Sequence, residues 1–397
     1  MIKSANDLIS LIRMILRGDF QKLENPDYNE IYKLAKFHSI QNMLYYAILK
    51  YIEVYDCASS ISPELLKMLS KENRTALAKT AAQEEERVQI SKEFEKAAIK
   101  YMFLKGSVIK YLYPSIDMRS MADIDIYFDD IKSAEVRKIF VSLGYDIEAY
   151  RKSNHDVYKK VPFMNIETHR DLMNESYWMH LYYKDFWPRL IKKEESEYEY
   201  EFSLEDYYIF MTAHAAKHFS VGGMGVRNVI DEYIYLTKYE DKLDFNYISE
   251  ELNKLGLAKF EKNLRNIATY WFGEGKLDKE DEDIIKEMTK FIIDSGAYGT
   301  VSHSVLKDMM GAEAEENINA SRFKYFFRRA FPSYYHMKNR NPILKKIPIL
   351  LPWFYFTRLL KFVFVKNKNT RSAIKTVNNA SAKEIQENKK LHDDIGA

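Results

Sequence analysis

The chain has 397 residues, 60 of them Lys or Arg against 58 Asp or Glu, for a formal net charge of +2, with 46% hydrophobic and 30% charged residues. This balance excludes a disordered polyelectrolyte and provides enough apolar material for one large core or two to three modest ones. A single cysteine, Cys57, excludes an intrachain disulfide. The opening stretch, MIKSANDLISLIRMILRGDF, reads as an amphipathic helix interrupted by Asp7 and Arg13 and has no signal-peptide cleavage pattern, so the expected location is cytoplasmic. Apolar positions at helical spacing continue through IYKLAKFHSIQNMLYYAIL and a charged helix around KTAAQEEERVQISKEFEKAAIK, giving an N-terminal helical region over residues 1–95. His38, on one of these helices, is expected to meet a backbone carbonyl.

A mixed α/β core is expected over residues 96–200. The run Tyr101-Met102-Phe103-Leu104 reads as a strand ending at Lys105-Gly106-Ser107, and VIKYLY before Pro114 has helical character. Such a strand, glycine turn and helix start can present backbone N–H groups to an anion, with Gly106 allowing close approach and Ser107 adding a hydroxyl. Downstream, Asp123, Asp125 and Tyr127 alternate with Ile124, Ile126 and Phe128, so a strand places both carboxylates on one face over an apolar underside. Like charges this close repel, and a divalent cation with oxygen ligands, typically Mg²⁺ shared with nucleotide phosphates, relieves the repulsion.

The pattern L-K-G-S, L-Y-P, then R-x-x-x-D-I-D-I resembles the bacterial uncharacterised nucleotidyltransferase family, within the superfamily that has the DNA polymerase β-like catalytic fold. Arg119 stands four residues before Asp123, where that family carries an Arg. Fifteen residues separate Ser107 from Asp123, more than is usual in the broad superfamily. The resemblance implies an α+β fold with a small mixed sheet flanked by N- and C-terminal helical regions. It also implies a third carboxylate on a neighbouring strand, for which Glu167 in FMNIETHRDL is the candidate, followed by His169 in a similar acid-x-His arrangement. On that basis Asp123, Asp125 and Glu167 would be the catalytic acids and the ligands of two Mg²⁺ ions about 4 Å apart. Lys105, Gly106, Ser107 and Arg119 would bind the NTP, although the Lys105 side chain could point away from the turn.

Next, SLEDYYIFMTAHAAKHFSVGGMGVRNVIDEYIYL reads as helix, glycine-rich turn and helix, in a helical domain expected over residues 201–310. His214 and His218 share one helix face, and Arg227 and Asp231 another. They could form a His/His/Asp metal site or a polar network between two helices. The family resemblance also covers H-x-x-K-H and R-x-x-x-D. It implies that Lys217, His218 and Arg227 face the cleft and that Asp231 orients Arg227.

The last region, 311–397, is basic and aromatic with a polar tail. No Asp or Glu occurs from Asn317 through Lys383, whereas Arg328, Arg329, Arg340, Lys345, Lys346, Arg358, Lys361 and Lys366 all do. IPILLPWFYFTRLLKFVFV is too broken by Pro352, Arg358 and Lys361 to span a bilayer, which needs about 20 mostly apolar residues. Three readings stand: an interfacial helix on an anionic membrane surface, packing onto the protein's own helices, or nucleic-acid binding. The first would add a peripheral position at the inner face of the membrane. The terminal stretch NASAKEIQENKKLHDDIGA is expected to fray. Functionally, the residues suit transfer of a nucleoside monophosphate from an NTP to a nucleophile; the expected acceptor is a small molecule or, on the membrane-surface reading of the tail alone, a surface-polysaccharide precursor. The alternatives are a toxin-like enzyme acting on tRNA and a non-catalytic nucleotide-binding scaffold.

Overall fold

The amphipathic N-terminus forms α1 (Ile2–Arg17) without a break at either charged position. Arg13 Nε reaches across to the carbonyl of Trp271 at 2.6 Å, so its charge serves a long-range contact and leaves the helix intact. The computed structural model describes residues 2–19, 21–310, 318–334, 337–338, 341, 343–364 and 368–396; Arg340 and Lys366 of the basic block lie outside these. Helices α2 (Tyr28–Phe37), α3 (Gln41–Tyr55) and α4 (Pro63–Lys96) follow. The long α4 starts where Ser62 caps the Leu65 N–H and Pro63 occupies the first turn, a position that costs proline nothing.

The central sheet is mixed, in the order β1-β2-β5-β4-β3: β1 (Tyr101–Phe103), β2 (Ile124–Phe128), β3 (Asp146–Ala149), β4 (His155–Lys160) and β5 (Met164–His169). Between β1 and β2 lies α5 (Gly106–Ile109), and between β2 and β3 lies α6 (Ser133–Ser142). Strands β2 and β5 run parallel, and every other neighbouring pair is antiparallel. On one face Ile124, Ile126, Phe128, Tyr158 and Ile166 pack against Ile90 and Phe94 of α4 and Val136 and Phe140 of α6. The β1 rim is covered by the segment ahead of β7 (Tyr200–Glu201), which pairs with β6 (Ile191–Lys192): the Tyr101 N–H donates to the Tyr198 carbonyl at 3.0 Å. The β3 rim is open, and its register shifts between Ile147 and Ala149.

A second, larger core joins the N-terminal helices to the short α7 (His180–Tyr183) and to α8 (Leu204–Val221), α9 (Val226–Tyr239), α10 (Phe245–Leu255), α11 (Ala258–Phe272) and α12 (Lys279–Ser295), with α13 (Val301–Met309) beyond. Tyr127 and Leu104 belong to this core, so the upper face of the sheet looks toward the helices. The C-terminus does not fray. Ser381 and Glu384 form a reciprocal cap that starts the helix Ala382–Ile395, and Leu391 and Ile395 are buried. Asn263 Nδ2 on α11 donates to the carbonyls of Asp394 and Ile395 at 3.3 and 3.2 Å. Part of the basic block packs too: Tyr325, Ala373, Val377 and Ile385 form a small core with Val305 and Met309. Pro352 does not break the helix Leu351–Phe364, because it sits in the first turn.

Candidate active site

Parallel pairing of β2 with β5 places Asp125 opposite Glu167 and Tyr127 opposite His169. Partners in register project to the same side, so alternation brings Asp125, Glu167 and His169 to one surface while the isoleucines fill the core beneath. Their ligand atoms lie within 4.8 Å of one another. Asp123 stands one residue ahead of β2 and lines the same cavity.

This cavity, of about 630 Å³, lies between the sheet face and α8 and α9. Lys105, Gly106 and Arg119 line it, as do His214, Lys217 and His218 from α8 and Arg227 and Asp231 from α9. The two histidines touch, Nε2 to Nε2 at 3.2 Å. Among the described residues, the cluster with metal-ligand geometry is Asp125, Glu167 and His169, and the His214, His218 and Asp231 grouping does not form one.

The electrostatics centre on Asp125. Burial alone would raise its carboxyl, but Lys105 Nζ at 2.8 Å and His169 Nε2 at 2.7 Å meet the same Oδ1 and hold it far below the usual carboxylate range. Burial and the neighbouring Asp125 push Asp123 up to about 6, and burial with Asp125 raises Glu167. Burial, reinforced by Lys105, brings the Lys217 amine down to about 8. Burial also holds His169 near 4 and His218 near 3, so both rings are neutral at neutral pH.

Several side chains differ from the sequence expectation. Lys105 points into the site, because a positive φ of 50° turns its backbone so that the ammonium reaches Asp125. Ser107 does not line the cavity: the first turn of α5 rotates it inward, 98% buried, with its hydroxyl 3.9 Å from Met121 Sδ. VIKYLY is helical as expected, but its Val108 and Ile109 end the four-residue α5 and Lys110–Leu112 form only a 3₁₀ turn, too short for a useful dipole toward an anion. A Cβ on Gly106 would lie 2.8 Å from Met121 Sδ, so the methionine side chain would have to shift to admit one.

Asp231 orients Arg119, not Arg227. Nε and Nη2 of Arg119 each donate to a different Asp231 oxygen at 2.7 Å, and the Tyr113 hydroxyl donates to Oδ1 at 2.6 Å. The geometry is bidentate, which suits a guanidinium fork. Arg227 instead gives Nη1 to the Ser120 carbonyl at 3.1 Å and lies 5.3 Å from the Tyr298 ring, while its buried Nε meets no acceptor. His38 behaves as expected, its Nε2 lying 3.1 Å from the Ile293 carbonyl.

Sequence reasoning missed His155, Tyr177, Tyr207 and Tyr298, all of which line the cavity. His155 Nε2 is 3.7 Å from Glu167 Oε2 across the β4–β5 pair, and the Tyr207 hydroxyl donates to the Lys105 carbonyl at 2.9 Å. Only the position of His155 on a strand could have been read in advance. The others depend on long-range packing.

The model of the family described as uncharacterised nucleotidyltransferase matches residues 24–273, which include the sheet and both helices over the cavity. The chain belongs to that family. No curated protein and no solved structure matches it.

Proposed function

We propose that the chain is a divalent-cation-dependent enzyme that transfers a nucleoside monophosphate from an NTP to a small molecule or surface-polysaccharide precursor. The observation that carries this reading is the in-register Asp125 and Glu167 pair, with Asp123 beside it, at the floor of a cation-walled cavity. The acids fit a metal: burial and the Asp125 charge raise the Asp123 and Glu167 carboxyls, which a divalent charge reverses, while the buried Arg227 Nε lacks an acceptor of the kind a phosphate oxygen supplies. Asp123, Asp125 and Glu167 would contribute ligands for two divalent ions, which would supply positive charge to the α-phosphate and the leaving pyrophosphate. Arg227 and Lys217 then provide positive charge from the helical wall toward the phosphates. Arg119, tied to Asp231, fixes the position of that wall. A cavity of this size is within the range that encloses a nucleotide-sized ligand.

The test is incubation of the purified chain with each labelled NTP, Mg²⁺ or Mn²⁺ and a cell extract, with Asp125→Asn as control. Label in a small molecule or glycan precursor with the wild type alone is expected. Label on tRNA would shift the reading to a toxin-like transferase. Equal labelling by Asp125→Asn would overturn the metal-dependent mechanism, and nucleotide binding without turnover would favour a scaffold.

Peripheral attachment to an anionic membrane is a second part of the proposal. Trp353, Phe356 and Leu360 on Leu351–Phe364 are 61%, 53% and 42% exposed, and Phe323 on the helix Ile318–Ala330 is 72% exposed, within a segment free of acids. Aromatic residues among cations suit the headgroup boundary. No helix among the described residues is long and apolar enough to cross a membrane. Co-sedimentation with phosphatidylserine vesicles at low salt, weakened by Trp353→Ser with Phe356→Ser, is expected. Binding that ignores lipid charge and both substitutions would remove this part of the proposal.

A further inference from the structure

The three side chains that converge on the floor of the cavity are not three acids. Asp125 and Glu167 are joined by the imidazole of His169, whose Nε2 lies 2.7 Å from Asp125 Oδ1 and 3.8 Å from Glu167 Oε2. All three ligand atoms fall within 4.8 Å, while Asp123 lies outside this group. The 2.7 and 3.8 Å separations bracket the roughly 3.0–3.4 Å between neighbouring ligands around one ion with bonds of about 2.1 Å, so a cation can enter with side-chain shifts that draw the three ligand atoms together. His169 is nearly buried and is held on a central strand, paired on one side with Tyr127 and on the other with His155. Its ring therefore has little freedom to swing away.

We infer that Asp125, Glu167 and His169 form a two-carboxylate, one-imidazole site for a borderline first-row cation of the Mn²⁺ or Co²⁺ kind, with Asp123 left for an ion that arrives with the nucleotide. The chemistry of the donor set decides this. Mg²⁺ favours an all-oxygen shell and keeps its waters, whereas imidazole nitrogen raises affinity for transition ions over Mg²⁺. Entry of the ion requires the single ring proton to move from Nε2 to Nδ1 and the Lys105 ammonium to withdraw from Asp125 Oδ1, where it stands at 2.8 Å. Lys105 is thus the resident positive charge that the ion replaces. The inference rests on the nucleotidyl-transfer reading for the purpose of the ion, but the binding itself can be measured without turnover.

The experiment uses the full chain, stripped of metals and without nucleotide, titrated with Mn²⁺, Co²⁺ and Mg²⁺ by calorimetry and, for Mn²⁺, by the loss of its free-ion EPR signal. One Mn²⁺ or Co²⁺ per chain, bound at least about tenfold more tightly than Mg²⁺, is expected, and His169→Gln should erase most of that preference. Equal affinity for Mn²⁺ and Mg²⁺ in the wild type, or an undiminished preference in a folded His169→Gln, overturns the inference. If the variant does not fold, the wild type decides. Its Co²⁺ complex should show a hyperfine-shifted imidazole N–H resonance, which a site of carboxylates alone lacks, and its absence overturns the inference. Loss of NTP turnover under every metal, with this binding pattern intact, would count against nucleotidyl transfer and leave the site standing.

Discussion

Lys105 occupies a backbone conformation, φ 50° and ψ −123°, that residues with a Cβ rarely adopt. Such strain costs about 1–3 kcal/mol and persists because the ammonium, aimed at Asp125, offsets it. Replacing Lys105 should therefore reverse the usual order of substitutions: Lys105→Gly should unfold at higher urea than Lys105→Ala, by roughly 1 kcal/mol, although both lose the ion pair. Arg119 presents the opposite case, an unstrained residue in a buried bidentate pair. Arg119→Ala leaves the Asp231 charge uncompensated and should cost about 3–5 kcal/mol in urea unfolding, far more than Arg227→Ala. His38 gives a pH signature. It accepts the Val226 N–H at Nδ1, 3.3 Å away, and burial, with a smaller contribution from the facing Arg227, lowers its pKa to about 4. The folded value lies below the unfolded one, so the unfolded chain binds the proton first and stability falls as pH drops from about 6.5 toward 4. His38's share of the loss should approach roughly 3 kcal/mol at the lower end, beside that of the other buried histidines, so His38→Gln should lose less stability than the wild type over this range by about that amount. Strand alternation made Asp123 and Asp125 legible in the sequence, whereas the burial of Ser107 was hidden, since one turn of helix rotates a neighbour of Gly106 out of the cavity.

Among the elements, the glycine-rich turn between α8 and α9 acts as a joint. A Cβ on Gly225 would lie 2.8 Å from Ala297 Cα and 2.9 Å from the Gly296 carbonyl, and one on Gly299 would lie 2.5 Å from the Gly222 carbonyl. Backbone meets backbone there, and Thr300 N–H donates to Gly222 O at 2.9 Å. The joint sets Arg227, in the first turn of α9, under Tyr298. Gly225→Ala has an acceptable φ but no room, so it should cost about 1–3 kcal/mol and raise the KM for NTP more than it lowers kcat, measured by steady-state kinetics. Helix starts were written locally, in Ser62-Pro63, Ser203 and Asp244. The same code stood in Ser381-x-x-Glu384, and the polarity of the tail concealed it. The packing of the glycine turn was not legible, because its partners lie some seventy residues away in sequence.

At the scale of the whole molecule, the helix Ala382–Ile395 closes the α11 and α12 surface through Leu391 and Ile395, so this polar stretch is part of the fold. Ile395→Ala should lower stability by about 2–5 kcal/mol in thermal or urea unfolding, as burial in a shared core requires. Composition foretold that enough apolar material existed, and periodicity foretold which stretches were helical. Neither could tell that the first and last helices meet the same core, since such contacts span nearly the entire chain. The sheet carries a consequence for behaviour in concentrated solution. Its open rim, β3, is four residues long, out of phase at Ile147 and Ala149, and exposes Asp146 and Glu148. A strand from another copy arriving there would meet a short, irregular edge flanked by exposed acids, features that disfavour growth of the sheet from chain to chain under crowding.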